Sequence, residues 1–272
     1  MSAHLLYEDF LRFVEALAAR SGDPWELYQQ HYLRPHRAVL EAWWEQCLGL
    51  PRETWEERVR AIRPENYGLL REVVREADLA EMAREAMARC EALLPLEPEP
   101  EVYYLVGFFS PDGFAFQVNE DWAIGIGMER LGSLRLVPVL LAHEYAHCYR
   151  RRRATPRKLG ERLVEEGFAV ELAARAFPER GTAEHLLMRP GEVAALRQYE
   201  GDLWKAVEPL LSSEDERLAA RLVYGRADRG DWPSRAGVYL GWRLVRELLG
   251  DGIEGFDATA EQALSSRPQT TG

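Results

Sequence analysis

Apolar residues recur three or four positions apart near the start of the chain, which predicts a helix from Leu5 to Ala19 with one buried face. Asp23 and Pro24 predict the start of a second helix, because Asp caps a helix N-terminus and Pro suits its first turn. Pro35 is expected to kink or divide the segment that follows. A third long helix is predicted from about Glu65 to Leu94.

The pattern changes after Pro100, where β-branched and aromatic residues predict three short strands, at 102–110, 114–118 and 122–128. Helical spacing returns from about Leu136 to Arg153, and the chain is mostly helical from Lys158 onward. These elements predict an α+β fold that is mostly helical, with a small mixed sheet packed on a helix.

The chain is expected to have three parts. These are an N-terminal helical region at 1–98, a region at 99–263 that contains the small sheet and the motif described below, and a flexible tail at 264–272. The aromatic residues of the first region are interpreted as core or interface packing. They include Trp25, Tyr28, Tyr32, Trp43 and Trp44.

Composition excludes several classes of protein. With 47% hydrophobic and 29% charged residues, the 272-residue chain is neither largely disordered nor collagen-like. A formal charge of -11 disfavours a nucleic-acid partner, and no apolar run approaches the roughly 20 residues that span a bilayer. The N-terminus shows no secretory signal, and Cys47, Cys90 and Cys148 are widely spaced, so a cytoplasmic location is expected.

The segment HEYAH carries the candidate chemistry. His143 and His147 stand four residues apart on a predicted helix, so both imidazoles lie on one face and can bind one Zn²⁺. Glu144, next to the first histidine, can reach a metal-bound water and act as a general base. The alternative is a surface helix whose histidines align by chance.

A catalytic zinc also needs a third protein ligand. Glu166 follows His147 with eighteen residues between them, which allows the first helix to end and a second helix to return antiparallel. A carboxylate on the returning helix can complete the ligand set. The donor set favours one Zn²⁺ per chain, although cobalt or manganese could occupy such a site.

HEYAH, eighteen residues and then Glu-Gly-Phe-Ala resemble the gluzincin metallopeptidases. The wider arrangement between Asp23 and Leu249 is similar to a bacterial family of predicted zinc-dependent proteases. The resemblance implies that His143, His147 and Glu166 are metal ligands and that Glu144 is the catalytic base.

This sequence differs from known gluzincins at two positions near the ligands. Glu165 replaces the Asn of aminopeptidase-like members, so exopeptidase activity does not follow. Val170 replaces the Asp that orients a zinc histidine in thermolysin-like members. Glu165 and Glu171 are expected to be solvated or to support the ligands, and not to bind the metal themselves.

Related enzymes stabilise the oxyanion with a Tyr or His donor. Tyr239 is the first candidate here, since glycines on both sides permit close approach of neighbouring elements, although core packing is the alternative. Tyr224 is the second candidate, and His185 is a further candidate that is expected to lie at the surface.

Two other segments have both a functional and a structural interpretation. The strand at 122–127 could be an exposed edge that pairs with a substrate backbone, or it could simply pack on the helix. Its glycines, Gly125 and Gly127, indicate close approach of backbone or ligand. The basic run from Arg150 to Arg153 could be a patch for an anionic partner or an acidic substrate. The favoured interpretation is that these side chains are solvated and complement the helix dipole.

The sequence therefore predicts a zinc-dependent metallopeptidase that hydrolyses peptide bonds with a zinc-bound water activated by Glu144. Its expected partner is a peptide or protein substrate. Two alternatives stay open: a non-catalytic zinc-containing scaffold that binds a partner, and a zinc hydrolase with a non-peptide substrate. The motif specifies water activation and not the substrate.

Overall fold

A computed structural model describes residues 2–75, 77–223, 233, 235–250 and 252–266. The fold is α+β, with a small mixed sheet among many helices, as predicted. The strands are β1 (Ala3–Leu5), β2 (Glu101–Leu105), β3 (Gly113–Val118) and β4 (Asp121–Gly127).

The first helices are α1 (Leu6–Ala18), α2 (Pro24–Tyr28), α3 (Arg37–Trp43), α4 (Trp55–Arg60), α5 (Gly68–Val74) and α6 (Leu79–Leu93). The later helices are α7 (Val137–Arg151), α8 (Leu159–Ala176), α9 (Thr182–His185), α10 (Pro190–Gln198), α11 (Glu200–Val207), α12 (Glu216–Leu222), α13 (Ala236–Leu249) and α14 (Ala260–Ser265). Among the described residues, no helix has both the length and the apolar character needed to cross a bilayer.

Local capping explains several helix starts. The Asp23 side chain accepts hydrogen bonds from the amides of Trp25 and Glu26 at the start of α2, as predicted. Pro35 lies in the break between a π-helical turn and α3, which confirms the predicted division. The single helix predicted at 65–94 is wrong: Asp78 accepts a hydrogen bond from the Glu81 amide and starts α6 separately from α5.

The strand order in the sheet is β1-β2-β4-β3. β1 and β4 both run parallel to β2, and β3 pairs antiparallel with β4 through a tight hairpin at Asn119 and Glu120. The sequence did not predict β1, because three residues are too few to show an alternating pattern.

Of the two interpretations of the strand at 122–127, the structure excludes the exposed edge. β4 has β2 on one side and β3 on the other, so its backbone is paired along both edges. The close approach predicted at Gly125 is confirmed, and the approaching group is a side chain: a Cβ there would lie 2.0 Å from the Trp43 ring. β3 is the edge strand of this part of the sheet.

The chain divides into two compact units. Unit 1 is Met1–Ala88 with Leu96–Glu144, and unit 2 is Arg89–Pro95 with Tyr145–Gly272. The divisions fall inside α6 and α7, so both helices contribute residues to each unit. The functional boundaries predicted at residues 98 and 263 stay a prediction.

Each unit has its own core. In unit 1 the side chains of Tyr28, Tyr32, Trp43 and Trp44 are fully buried, which confirms that the aromatic stripe is mainly core. In unit 2 the helices α8 and α13 cross in close contact. A Cβ on Gly241 would lie 1.7 Å from the carbonyl oxygen of Leu163, so the close approach predicted beside Tyr239 is confirmed.

Candidate metal centre

The HEYAH segment lies in a buried part of helix α7. His143, Glu144 and His147 are 4%, 6% and 3% exposed. The alternative of a surface helix with aligned histidines is therefore wrong. The intervening Tyr145 anchors the helix, because its buried hydroxyl donates to the Leu94 carbonyl at 2.8 Å.

The helix α8 brings Glu166 to the same place. Within unit 2, Glu166 Oε1 lies 3.5 Å from His147 Nε2, and His143 is one turn earlier on α7. One ligand atom from each of these three buried side chains lies within 4.8 Å of the other two. The structure thus brings together the ligand set that the sequence predicted.

These residues fit a zinc ion. Two ligands bound at about 2.0–2.1 Å with tetrahedral angles are separated by about 3.4 Å. The 3.5 Å separation of His147 Nε2 and Glu166 Oε1 is close to that value. Two imidazoles with one carboxylate form the donor set of catalytic zinc sites that keep a fourth position for water or substrate.

Glu144 lies beside the start of the edge strand β3. A Cβ placed on Gly113 would come 3.0 Å from Glu144 Oε1 and 2.7 Å from Leu140 Cδ1. All three residues belong to unit 1. The absence of a side chain at Gly113 therefore lets the backbone of β3 lie directly against the predicted catalytic base.

A buried arginine joins the two ligand-bearing helices. Arg150, three residues after His147, donates through Nε to Glu165 Oε1 at 2.7 Å, and Glu165 immediately precedes Glu166. The guanidinium also donates to the carbonyl oxygens of Phe256 at 2.6 Å and Ala258 at 3.2 Å. It stacks over Phe168 at 3.8 Å.

This arrangement corrects the expectation for Arg150 and decides between the two alternatives for Glu165. The Arg150 side chain is 10% exposed, so it is not solvated as expected. The Glu165 side chain is also 10% exposed, which excludes the solvated alternative and agrees with the alternative that it supports the ligands. Burial raises the pKa of the Glu165 carboxyl, and the Arg150 guanidinium opposes that rise. Glu171 is also buried, and it accepts hydrogen bonds from Arg175 at 3.1 Å and Trp242 at 3.2 Å.

Two of the candidate oxyanion donors, Tyr239 and His185, have other hydrogen bonds. Tyr239 is buried and donates to Glu200 Oε2 at 2.7 Å; burial and this bond raise its pKa to about 12. Its role stays a prediction. His185 is buried against the Phe177 carbonyl at 2.9 Å, so the expectation of a surface position is wrong. Tyr224 lies outside the described residues.

Comparison with known proteins agrees with this geometry. The model of a family described as predicted Zn-dependent protease (DUF2268) matches residues 124–265, which is more than half of the chain. The chain belongs to this family. The match includes all of α7 and α8, and hence the three clustered side chains. No curated protein and no solved structure matches the chain in the same comparisons.

The sequence analysis did not identify Arg150 as a residue that contacts the neighbour of the predicted ligand Glu166. A signal was present: Arg150 stands one turn after His147, and an acidic residue stands directly before Glu166. On antiparallel helices these two positions lie at the same level as the ligands. The run of neighbouring arginines hid this signal, because such runs usually end helices at the surface.

Proposed function

We propose that this protein is a zinc-dependent metallopeptidase with one zinc ion per chain. The observation that carries the proposal is the buried cluster of His143, His147 and Glu166, with Glu144 on the same helix. Structural zinc sites commonly have four protein ligands, whereas a set of three with an adjacent carboxylate is typical of hydrolytic sites.

The proposed chemistry divides between the metal and the chain. Zinc would act as a Lewis acid that acidifies a water molecule and polarises a substrate carbonyl. Glu144 would accept the proton of the attacking water and then deliver it to the nitrogen of the leaving amine. Tyr239 is proposed as an oxyanion donor, which requires its hydroxyl to exchange Glu200 for the substrate.

The substrate backbone is proposed to lie along β3. Residues 113, 115 and 117 turn their backbone groups toward the outer edge of this strand, because the hairpin pairs the alternate residues with β4. Gln46 occupies the far end, where its side chain bonds both the amide and the carbonyl of Gln117 at 2.9 and 2.8 Å. The near end, at Gly113, adjoins Glu144.

Gly113 provides a direct test of this placement. We expect Gly113→Ala to lower kcat/KM by about 10- to 100-fold, since a shift of the base or the strand by even about 1 Å impairs catalysis. The added methyl group would contact Glu144 and Leu140. Rates should be compared with those of Gly132→Ala, a position in the same unit where a Cβ meets no atom within 4 Å. Equal loss in the two variants would contradict the placement.

The proposed activity is tested by incubating zinc-loaded protein with peptides from a digested proteome and identifying new termini by mass spectrometry. Cleavage that a chelator removes and added zinc restores would support a peptidase. A zinc-bound protein that cleaves no peptide would contradict the proposal and favour either a scaffold or a hydrolase with another substrate.

A further inference from the structure

Glu129 closes the loop that joins β2 to β3. It follows β4 in a short 3-10 turn, and its Oε1 accepts hydrogen bonds from the amides of Gly107 at 2.6 Å and Phe109 at 2.9 Å. One carboxylate oxygen thus holds two points of the segment at 106–112. We call this segment the β2–β3 loop.

The β2–β3 loop has an unusual backbone. Phe108 and Phe109 have φ angles of 60° and 56°, in the left-handed region that bulky residues rarely adopt. Such conformations persist where the surroundings fix them. Here the Glu129 carboxylate holds the amides on either side of Phe108, and the Phe108 ring stacks on Trp44 with centroids 5.0 Å apart.

The end of the loop determines where β3 begins. The Gly127 amide donates to the Asp112 carbonyl at 3.0 Å, and a Cβ on Gly127 would lie 2.5 Å from the Pro111 carbonyl oxygen. The loop therefore passes tightly over the end of β4. It leads directly into Gly113, which lies against Glu144.

We propose that Glu129 is a positioning residue: by clamping the β2–β3 loop it holds the start of β3 beside Glu144, where the substrate backbone binds. This inference rests on the proposed peptidase function. Glu129 acts through the loop and does not touch the reacting atoms.

The cost of burying Glu129 supports a specific role. Its Oε2 atom is buried without a hydrogen-bond partner. Burial raises the pKa of this carboxyl to about 7, with a smaller contribution from Asp112, while the Phe109 and Gly107 amides lower it. Carboxylates are rarely buried without a charged partner. Glu129 lies at the point where its carboxylate accepts hydrogen bonds from two amides of a strained loop.

Two substitutions of Glu129 distinguish the effect of its hydrogen bonds to the loop from the effect of its negative charge. Glu129→Gln keeps an oxygen that can accept both amide hydrogens, whereas Glu129→Ala removes it. We expect hydrogen exchange across 105–116 to become about tenfold faster or more in Glu129→Ala, because these amides lose their acceptor. Exchange in Glu129→Gln should stay close to wild type. Glu53→Ala, at an exposed position of the same unit, is the control.

The kinetic arm uses peptides that the zinc-loaded wild type cleaves. We expect Glu129→Ala to raise KM about tenfold with kcat changed less than about twofold. The reason is that the variant weakens binding of the substrate backbone and leaves the groups that carry out the chemical step unchanged. Glu129→Gln should restore most of the wild-type KM. Zinc content should be the same in all variants, and a destabilised fold alone would not produce this split.

A pH series adds an independent readout. Because the folded-state pKa of Glu129 lies above its ordinary value, the protonated carboxyl stabilises the fold at low pH, and this contribution is lost as the pH rises through about 7. We expect the wild-type Tm to fall more between about pH 5 and pH 8 than that of Glu129→Gln. Tyr28, Tyr32 and Tyr67 face the carboxylate and stay protonated in this range.

The outcomes distinguish failure of this inference from failure of the proposed function. Unchanged hydrogen exchange in Glu129→Ala would overturn the clamp, whether or not a substrate is found. Faster exchange with an unchanged KM would overturn the positioning role. A zinc-loaded wild type that cleaves no peptide would remove the proposed function, and with it the substrate part of the inference.

Discussion

Glu144→Gln is expected to lower peptide hydrolysis by about 10²- to 10⁴-fold, the range that a positioned general base contributes. The amide keeps the size and shape of the carboxylate but cannot accept a proton from the attacking water. Glu144 is outside the cluster of His143, His147 and Glu166, so zinc binding should persist. The measurement is the initial rate of cleavage of an identified peptide, with zinc content determined on the same preparation.

The control for this variant is Glu53→Gln, which makes the same chemical change at an exposed position. Its rate should match that of the wild type. If Glu144→Gln retained full activity with zinc bound, another residue would be the base. If it lost zinc together with activity, the carboxylate would belong to the metal site, and the assigned role would be wrong.

Arg150→Met is expected to destabilise the protein by about 3–5 kcal/mol, as is typical when one partner of a buried ion pair is removed. Methionine keeps much of the apolar stem but leaves the Glu165 carboxylate buried without its cation. The carbonyl oxygens of Phe256 and Ala258 lose their donor as well. The free energy of unfolding from urea titration of the zinc-free protein measures this loss.

The companion variants test whether the charge pair is the cause. Arg157→Met changes an exposed arginine of the same basic segment and should cost little. The double variant Arg150→Met with Glu165→Gln should recover part of the stability, because no charge is then left buried. An Arg150→Met protein as stable as wild type would show that the pair does not hold α7 and α8 together.

The metal site was predictable from sequence because it depends on local rules. Helical periodicity places His143 and His147 on one face, and the interval to Glu166 allows an antiparallel return. Both features can be read without knowing the rest of the fold. The family match and the observed cluster are consistent with this interpretation.

The surroundings of the site were less predictable, because they depend on contacts between distant segments. The order of strands decides that β3 and not β4 is the edge, and alternation within a strand carries no information about its neighbours. In the sequence Arg150 has the pattern of a surface charge at a helix end. In the fold its guanidinium is buried and donates to carbonyl oxygens about a hundred residues later in the chain, at Phe256 and Ala258. The glycines beside Tyr239 correctly predicted the close approach of α8 and α13. They carried no information about Glu200, which lies on α11 and accepts the hydrogen bond of the Tyr239 hydroxyl.

The central claim is that His143, His147 and Glu166 hold a zinc ion, and metal content per chain tests it most directly. The protein should be purified without chelators or a metal-binding tag and measured by plasma mass spectrometry, beside Glu166→Ala and the same-helix control Glu161→Gln. The account predicts about one zinc per chain in the wild type and the control, and a clear loss in Glu166→Ala. No zinc in the wild type even after zinc is added, or equal zinc in Glu166→Ala, would contradict it.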